Sequence, residues 1–227
     1  MVQAGAVRPL LALLNLGSEE AAEALRNLIS LESVKESITK ANAIPSLVKL
    51  ISSGSMVAKQ KSAGILWSLA LDSTKNQVAV ANAGGIRPLV KLLEEGTPQA
   101  REEAAGALLD LACYSENQIL IAKAGGIWAL LNVLRTGSVI AKERAAIAVG
   151  NLACNVENEK RICQLGGVDI LLSLAKGGSL NAANALQNLP VDPKKAADIA
   201  AVAGGGGSNG PPTPFLNSDG TRISPGK

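Results

Sequence analysis

The 227 residues carry a net charge of +3, 47% hydrophobic and only 2% aromatic residues, and no histidine. Without histidine the chain cannot build a Ser/His/Asp or Cys/His catalytic arrangement, or any histidine-containing metal site. So small a positive charge, with no basic run longer than Lys194-Lys195 and no basic face studded with aromatics, points away from nucleic acid.

The start, Met1-Val2-Gln3, lacks a basic segment followed by an apolar core, so no secretory signal is expected. Residue 2 is not glycine, which excludes N-myristoylation for this start. No uninterrupted apolar run is long enough to span a bilayer, so no membrane insertion is expected. The expected location is the cytoplasm, with the nucleus as the alternative. Cys113 and Cys154 each follow a Leu-Ala pair one period apart, and with Cys163 are expected to be small buried residues in a reducing compartment.

In chain order, one pattern recurs: AGAVRPLLALL from Ala4, ANAIPSLVKLI from Ala41, AGGIRPLVKLL from Ala83, AGGIWALLNVL from Ala124 and LGGVDILLSLA from Leu165. The starts are 37, 42, 41 and 41 residues apart. A nearly fixed period in this range marks a stacked-repeat solenoid. Residues 75–115 show one unit. Asn76 to Ala83 predicts a short helix, and Gly84-Gly85 breaks it with a sharp turn. Pro88 then opens a second helix with Leu89, Val90, Leu92 and Leu93 on one stripe. Gly96 ends it, Thr97 caps the next, and a third helix runs from about Gln99 to Cys113 with Ala104, Ala105, Leu108, Leu111 and Ala112 on its apolar side. One such unit cannot bury its own apolar faces, whereas a stack of them can.

The outer units are irregular. From Gly54 to Leu69, Gly96 to Leu111 and Gly137 to Leu152 is 15 residues, but from Gly17 to Leu28 is 11 and from Gly177 to Leu189 is 12. Shortened first and last long helices fit capping units. The chain is expected to open on the tail of a first helix, Val2-Gln3-Ala4, and to close with Lys194 to Ala203 as the first helix of a sixth unit. The sequence thus predicts an all-α solenoid over 1–203 and a disordered Gly/Ser/Pro-rich tail over 204–227.

These turns, together with the long-helix ends EEAAEALRNL, REEAAGALLDLA, KERAAIAVGNLA and NAANALQNL, resemble the armadillo repeat family. The resemblance covers about residues 2–203 and implies a right-handed superhelical solenoid of about five three-helix repeats. It also implies a function: a non-catalytic scaffold that binds an extended segment of another protein in a concave groove lined by the third helices. In that family an Asn near the end of each third helix hydrogen-bonds the peptide backbone, and the equivalent positions here are Asn27, Ser68, Asp110, Asn151 and Asn188. An Asn amide offers a donor and an acceptor, matching a peptide's C=O and N–H, whereas an ionised Asp only accepts.

Residues seven and four positions earlier share that helix face: Glu20 and Glu23, Lys61 and Gly64, Glu103 and Gly106, Arg144 and Ile147, Asn181 and Asn184. None is the Trp that the family's nuclear-import adaptors place four residues before the Asn. Nor is the face as basic as in its catenin branch, because Lys61 and Arg144 are offset by acidic neighbours. Gly64 and Gly106 inside long helices suit either a ligand backbone or a tight helix contact. Trp67 is expected in the core, and Trp128, at the start of a second helix, to be partly exposed, either as a hydrophobic contact at the helix start or as a partner hot spot. No cofactor or metal site is expected, and the adjacent pairs Glu19-Glu20, Glu94-Glu95 and Glu102-Glu103 splay apart on a helix. Similar repeats occur in plant U-box ubiquitin ligases, which implies an alternative: the substrate-recognition region of such a ligase, with its catalytic module outside this chain.

Overall fold

Glycine turns cut the chain into helices at a constant beat. The computed structural model describes residues 7–190, which hold fourteen α-helices and no strand. An opening pair, α1 (Val7–Asn15) and α2 (Glu19–Leu28), is followed by four triplets. These are α3 (Glu32–Lys40), α4 (Ile44–Ser53) and α5 (Met56–Ala70); α6 (Thr74–Asn82), α7 (Ile86–Glu95) and α8 (Pro98–Leu111); α9 (Ser115–Lys123), α10 (Gly126–Thr136) and α11 (Val139–Leu152); and α12 (Val156–Gln164), α13 (Gly167–Lys176) and α14 (Leu180–Leu186). The short, medium and long helices of residues 75–115 thus stand as the sequence predicts, and the first and last long helices, α2 and α14, are the short ones. The segments 2–4, 194–203 and 204–227 lie outside the described residues.

The turn before each medium helix follows from backbone sterics. Gly84, Gly125 and Gly166 have φ of 77°, 86° and 75°, in the left-handed region where a Cβ is penalised. Asn42 takes the same place in its repeat with φ of 52°, as the non-glycine residue best suited to it. The second glycine of each pair serves closeness instead. A Cβ on Gly85 would lie 2.8 Å from Val80 Cγ1, and one on Gly167 2.5 Å from Ile162 Cγ2.

The long helices start alike. Ser18, Ser55, Thr97, Ser138 and Ser179 each accept, through the side-chain oxygen, the backbone N–H three residues on, at 3.1–3.2 Å. The donor is always an alanine: Ala21, Ala58, Ala100, Ala141 or Ala182. Small residues there let neighbouring helices approach closely, and all five are buried.

The helix ends use a device that the sequence reading did not assign. Asn76 donates to the carbonyl of Leu69 at 2.7 Å, Gln77 to that of Ala70 at 3.0 Å and Gln118 to that of Ala112 at 3.0 Å. These amides, buried on the short helices, satisfy carbonyls that the end of a long helix leaves without an intrahelical donor. Asn158, one period beyond Asn117, donates to the carbonyl of Gln118 at 3.1 Å and so ties α12 to α9. Replacing Asn76 by Ala would leave the Leu69 carbonyl without this donor. The expected result is a loss of about 1–3 kcal/mol in urea denaturation, with the helix content of the folded state unchanged.

The chain divides into two compact units, with the boundary between Leu111 and Ala112, directly after α8. In the first unit α2 packs on α5 and α5 on α8, while α1, α4 and α7 back onto α2, α5 and α8. Its core is filled by Leu25, Leu47, Ile65, Leu66, Leu89 and Leu108. In the second unit α11 packs on α14, with α10 behind α11 and α13 behind α14, around Leu130, Leu131, Val149, Leu152 and Leu171.

Candidate functional site

The long helices bring the predicted polar positions onto one face in each unit, but with unequal access. In the first unit Asn27 is exposed, Ser68, Lys61 and Glu103 are half-buried, and Asp110 is only 6% exposed. In the second unit Asn188, Asn184, Asn181 and Arg144 are half-buried and Asn151 is only 2% exposed. Equivalence in register is thus not equivalence in exposure, since Asp110 and Asn151 are both buried.

Two of the Asn amides already donate within the second unit. Asn151 Nδ2 donates to Cys113 Sγ at 3.4 Å. Asn188 Nδ2 donates to the carbonyl of Gly150 at 3.0 Å and lies 3.6 Å from Cys154 Sγ. Each Asn thus reaches back to the cysteine just after the long helix of the preceding repeat. Cys113 and Cys154 are half-buried rather than fully buried, and desolvation pushes the Cys154 thiol up to about 11, so it stays protonated. In the first unit Ser68 donates to the carbonyl of Gly64 in its own helix at 3.0 Å.

The two helix glycines have a definite use. The Arg26 side chain lies over Gly64, where a Cβ would collide with its Nε, and continues to Glu103, which it pairs at 3.0 Å. The indole of Trp67 lies over Gly106, where a Cβ would come within 2.7 Å of Cδ2. Arg26 and Trp67 each stand one residue before an Asn-equivalent position, so in both cases a long side chain of one repeat fills the hole left by glycine in the next. This corrects the expectation that Trp67 is a core residue: it is half-buried, at the contact of α5 with α8. The signal that would have found it is its spacing, since Arg26 and Trp67 both precede the downstream glycine by a similar interval, 38 and 39 residues.

Trp67 also touches the most perturbed group. Its indole N–H donates to the Asp110 carboxylate, while Asp110 Oδ2 is buried without a hydrogen-bond partner. Burial pushes Asp110 up from 3.8 to about 7, the nearby Asp72 carboxylate pushes the same way, and the Trp67 bond partly opposes them.

Charges on this face are largely spent internally. Lys61 pairs with Glu23 at 3.0 Å and Arg26 with Glu103 at 3.0 Å, and in the second unit Glu143 accepts from Ser179 and Asn181 at 3.0 and 2.9 Å. Among the described residues no cluster of three or more His, Cys, Asp or Glu side chains could hold a metal ion. No single described helix is long and apolar enough to cross a membrane. Trp128, at the start of α10, is 52% exposed and lies on the medium helix, away from the long-helix face.

Residues 73–112 match the family model of the armadillo/beta-catenin-like repeat. No curated protein sequence matches the chain. Among solved structures, an engineered protein superposes with a TM-score of 0.74 at 29% identity, over 88% of this chain and 82% of that one. A second engineered protein gives 0.75 at 31% identity, over 89% of this chain and 52% of that one. Computationally designed armadillo repeat proteins for modular peptide recognition give 0.73 at 21% identity, over 86% of this chain and 87% of theirs. With the glycine turns, the three-helix period and the long-helix register all in place, the chain has the fold of armadillo repeat proteins, and residues 73–112 carry that repeat's sequence pattern.

Proposed function

We propose that the chain is a non-catalytic protein-interaction scaffold, which holds an extended segment of a partner protein along the polar faces of its long helices. The observation that carries this reading is the Arg26–Glu103 pair. It reaches from α2 to α8 over Gly64 of α5, so the polar faces of three successive long helices form one surface. Amides and hydroxyls at repeat spacing on such a surface meet the alternating N–H and C=O groups of an extended chain. Because Lys61, Arg26 and Glu103 are already paired, the surface favours recognition of the partner's backbone over its charge. The likeness to armadillo proteins designed for peptide recognition adds support from the fold.

The positions to alter are those with exposed surface that hold nothing else in place. Replacing Asn151 or Asn188 by Ala would remove bonds internal to the second unit and confuse binding with stability. Asn27→Arg combined with Asn184→Arg instead places bulk on the face of each unit. For peptides selected on the full chain from a displayed random library, the expected result is a loss of affinity of about tenfold or more, with the melting temperature unchanged. Unchanged affinity for every selected peptide contradicts the reading. The alternative, substrate recognition for a U-box-type ubiquitin ligase, uses the same surface, and a ubiquitination assay on the product of the full coding sequence separates it.

A further inference from the structure

We infer that the cleft beside Trp128 is a second docking site, for a partner segment that carries bulky apolar side chains next to carboxylates. It involves the short and medium helices of the second unit, so it stands independently of the long-helix face.

The cleft follows from the turn. Helices α9 and α10 meet at 80° across Gly125, whose φ of 86° permits the bend. Together with α12 they enclose a volume of about 490 Å³, within the range of about 300–1,000 Å³ typical of sites that take up a ligand. Its apolar lining includes Ile119, Ile127, Trp128 and Leu165. Ile127 is buried, but Ile119 is 44% exposed and Trp128 is 52% exposed. Two large apolar side chains held facing one concave space form a surface that gains from being covered.

The charge around it selects the occupant. Lys123 of α9 and Arg161 of α12 both line the cleft and are exposed, and neither has an ion-pair or hydrogen-bond partner among the described residues. The carboxylate on the rim, Glu157, is taken by Lys160 at 2.8 Å. The cleft therefore pairs an apolar floor with two unneutralised cations, and the complementary ligand is apolar and acidic. The same place between α3 and α6 of the first unit shows the contrast. There the charges on α3 close on each other, Glu32 with Lys35 at 3.4 Å and Glu36 with Lys40 at 2.8 Å. The medium helices of the other repeats carry Arg8, Pro45, Arg87 and Asp169 where α10 has Trp128. The combination is thus a property of one repeat, not of the fold. Trp and Arg are also the side chains that most often dominate binding energy at interfaces.

The probe is a random peptide library displayed on phage and selected against the full chain. A class of binders is expected that is rich in Leu, Ile, Phe or Trp together with Asp or Glu, and that binds more weakly at high salt. Trp128→Ala and Arg161→Glu should each weaken these binders about tenfold or more, while Asn27→Arg with Asn184→Arg should leave them unchanged. Circular dichroism should show both cleft variants folded, since each alters an exposed side chain. The inference is overturned if no selected peptide depends on Trp128, if the dependent ones carry Lys or Arg in place of Asp or Glu, or if Arg161→Glu has no effect. A dimer of the full chain in sedimentation that Trp128→Ala dissociates would also overturn it, by assigning the cleft to a second copy. Binders lost only in the Asn27/Asn184 variant would support the long-helix face and sink the cleft, so the two readings fail separately.

Discussion

Asp110→Asn is expected to raise stability at pH 9, and by clearly less at pH 5. The Asp110 carboxyl is 6% exposed, lacks a partner at Oδ2 and faces Asp72, so its charged form is costly in the folded state. Its folded value of about 7 lies above the ordinary 3.8. A raised value means that the folded chain binds the proton more tightly than the unfolded chain. The resulting stabilisation is complete below about pH 4 and is lost as pH rises through about 7. Over its full extent a shift of this size is worth on the order of 4 kcal/mol, and the loss runs from about pH 4 to just above pH 7. Asn keeps an oxygen for the Trp67 N–H and carries no charge at any pH, so the variant should escape most of that loss. Urea denaturation of both proteins at pH 5, 7 and 9 checks this. The wild-type curve should fall away from the variant curve as pH rises, and parallel curves would show that Asp110 does not titrate as its surroundings require.

The second large effect concerns Trp67 and Gly106. Trp67→Ala removes an indole packed over the Gly106 backbone and the donor to Asp110, and should cost roughly 3 kcal/mol. Gly106→Leu drives a side chain into the space the indole occupies, and should cost roughly 1–3 kcal/mol despite the better helix propensity of Leu. Combined, the two changes exchange one filler for another. The double variant should therefore be more stable than the sum of the single losses predicts, by 0.5 kcal/mol or more, about the smallest coupling expected between contacting residues. Gly64→Ala provides the contrast. The side chain it displaces is the flexible Arg26, so the expected loss is the Arg26–Glu103 pair alone, offset by roughly 1 kcal/mol gained in helix propensity. Strict additivity at Trp67 and Gly106 would mean that the indole does not pack where its geometry places it.

What could be read from the sequence was whatever is repeated. The turn glycines Gly84, Gly125 and Gly166 gave the period because each needs a left-handed φ, and even Asn42 obeys the same backbone rule. The register of the long helices followed, and with it the equivalence of Asn27, Ser68, Asp110, Asn151 and Asn188. Their burial did not follow, since it depends on which residues of the neighbouring helix stand opposite. Asn151 is covered beside Cys113, and Asp110 beside Trp67, while Asn27 on the outer helix α2 stays exposed. The roles of Gly64 and Gly106 were open for the same reason. Whether a missing side chain is filled by a neighbour or left for a ligand is a tertiary property, and Arg26 and Trp67 fill both. The buried amides Asn76, Gln77 and Gln118 had a visible period but an unassigned purpose, because the carbonyls they serve lie six or seven residues back at the end of another helix.

The claim that the long-helix face holds a partner's backbone is tested most directly at the side-chain amides themselves. In a proton–nitrogen correlation spectrum of the full chain, titration with a peptide selected on it and sensitive to the Asn27/Asn184 substitutions should shift the side-chain amide signals of Asn27, Asn184 and Asn188. In the matching proton–carbon spectrum the methyl signals of Ile147, half-buried on the same helix face of α11, should shift with them. Saturating peptide that leaves all of these signals in place would contradict the account.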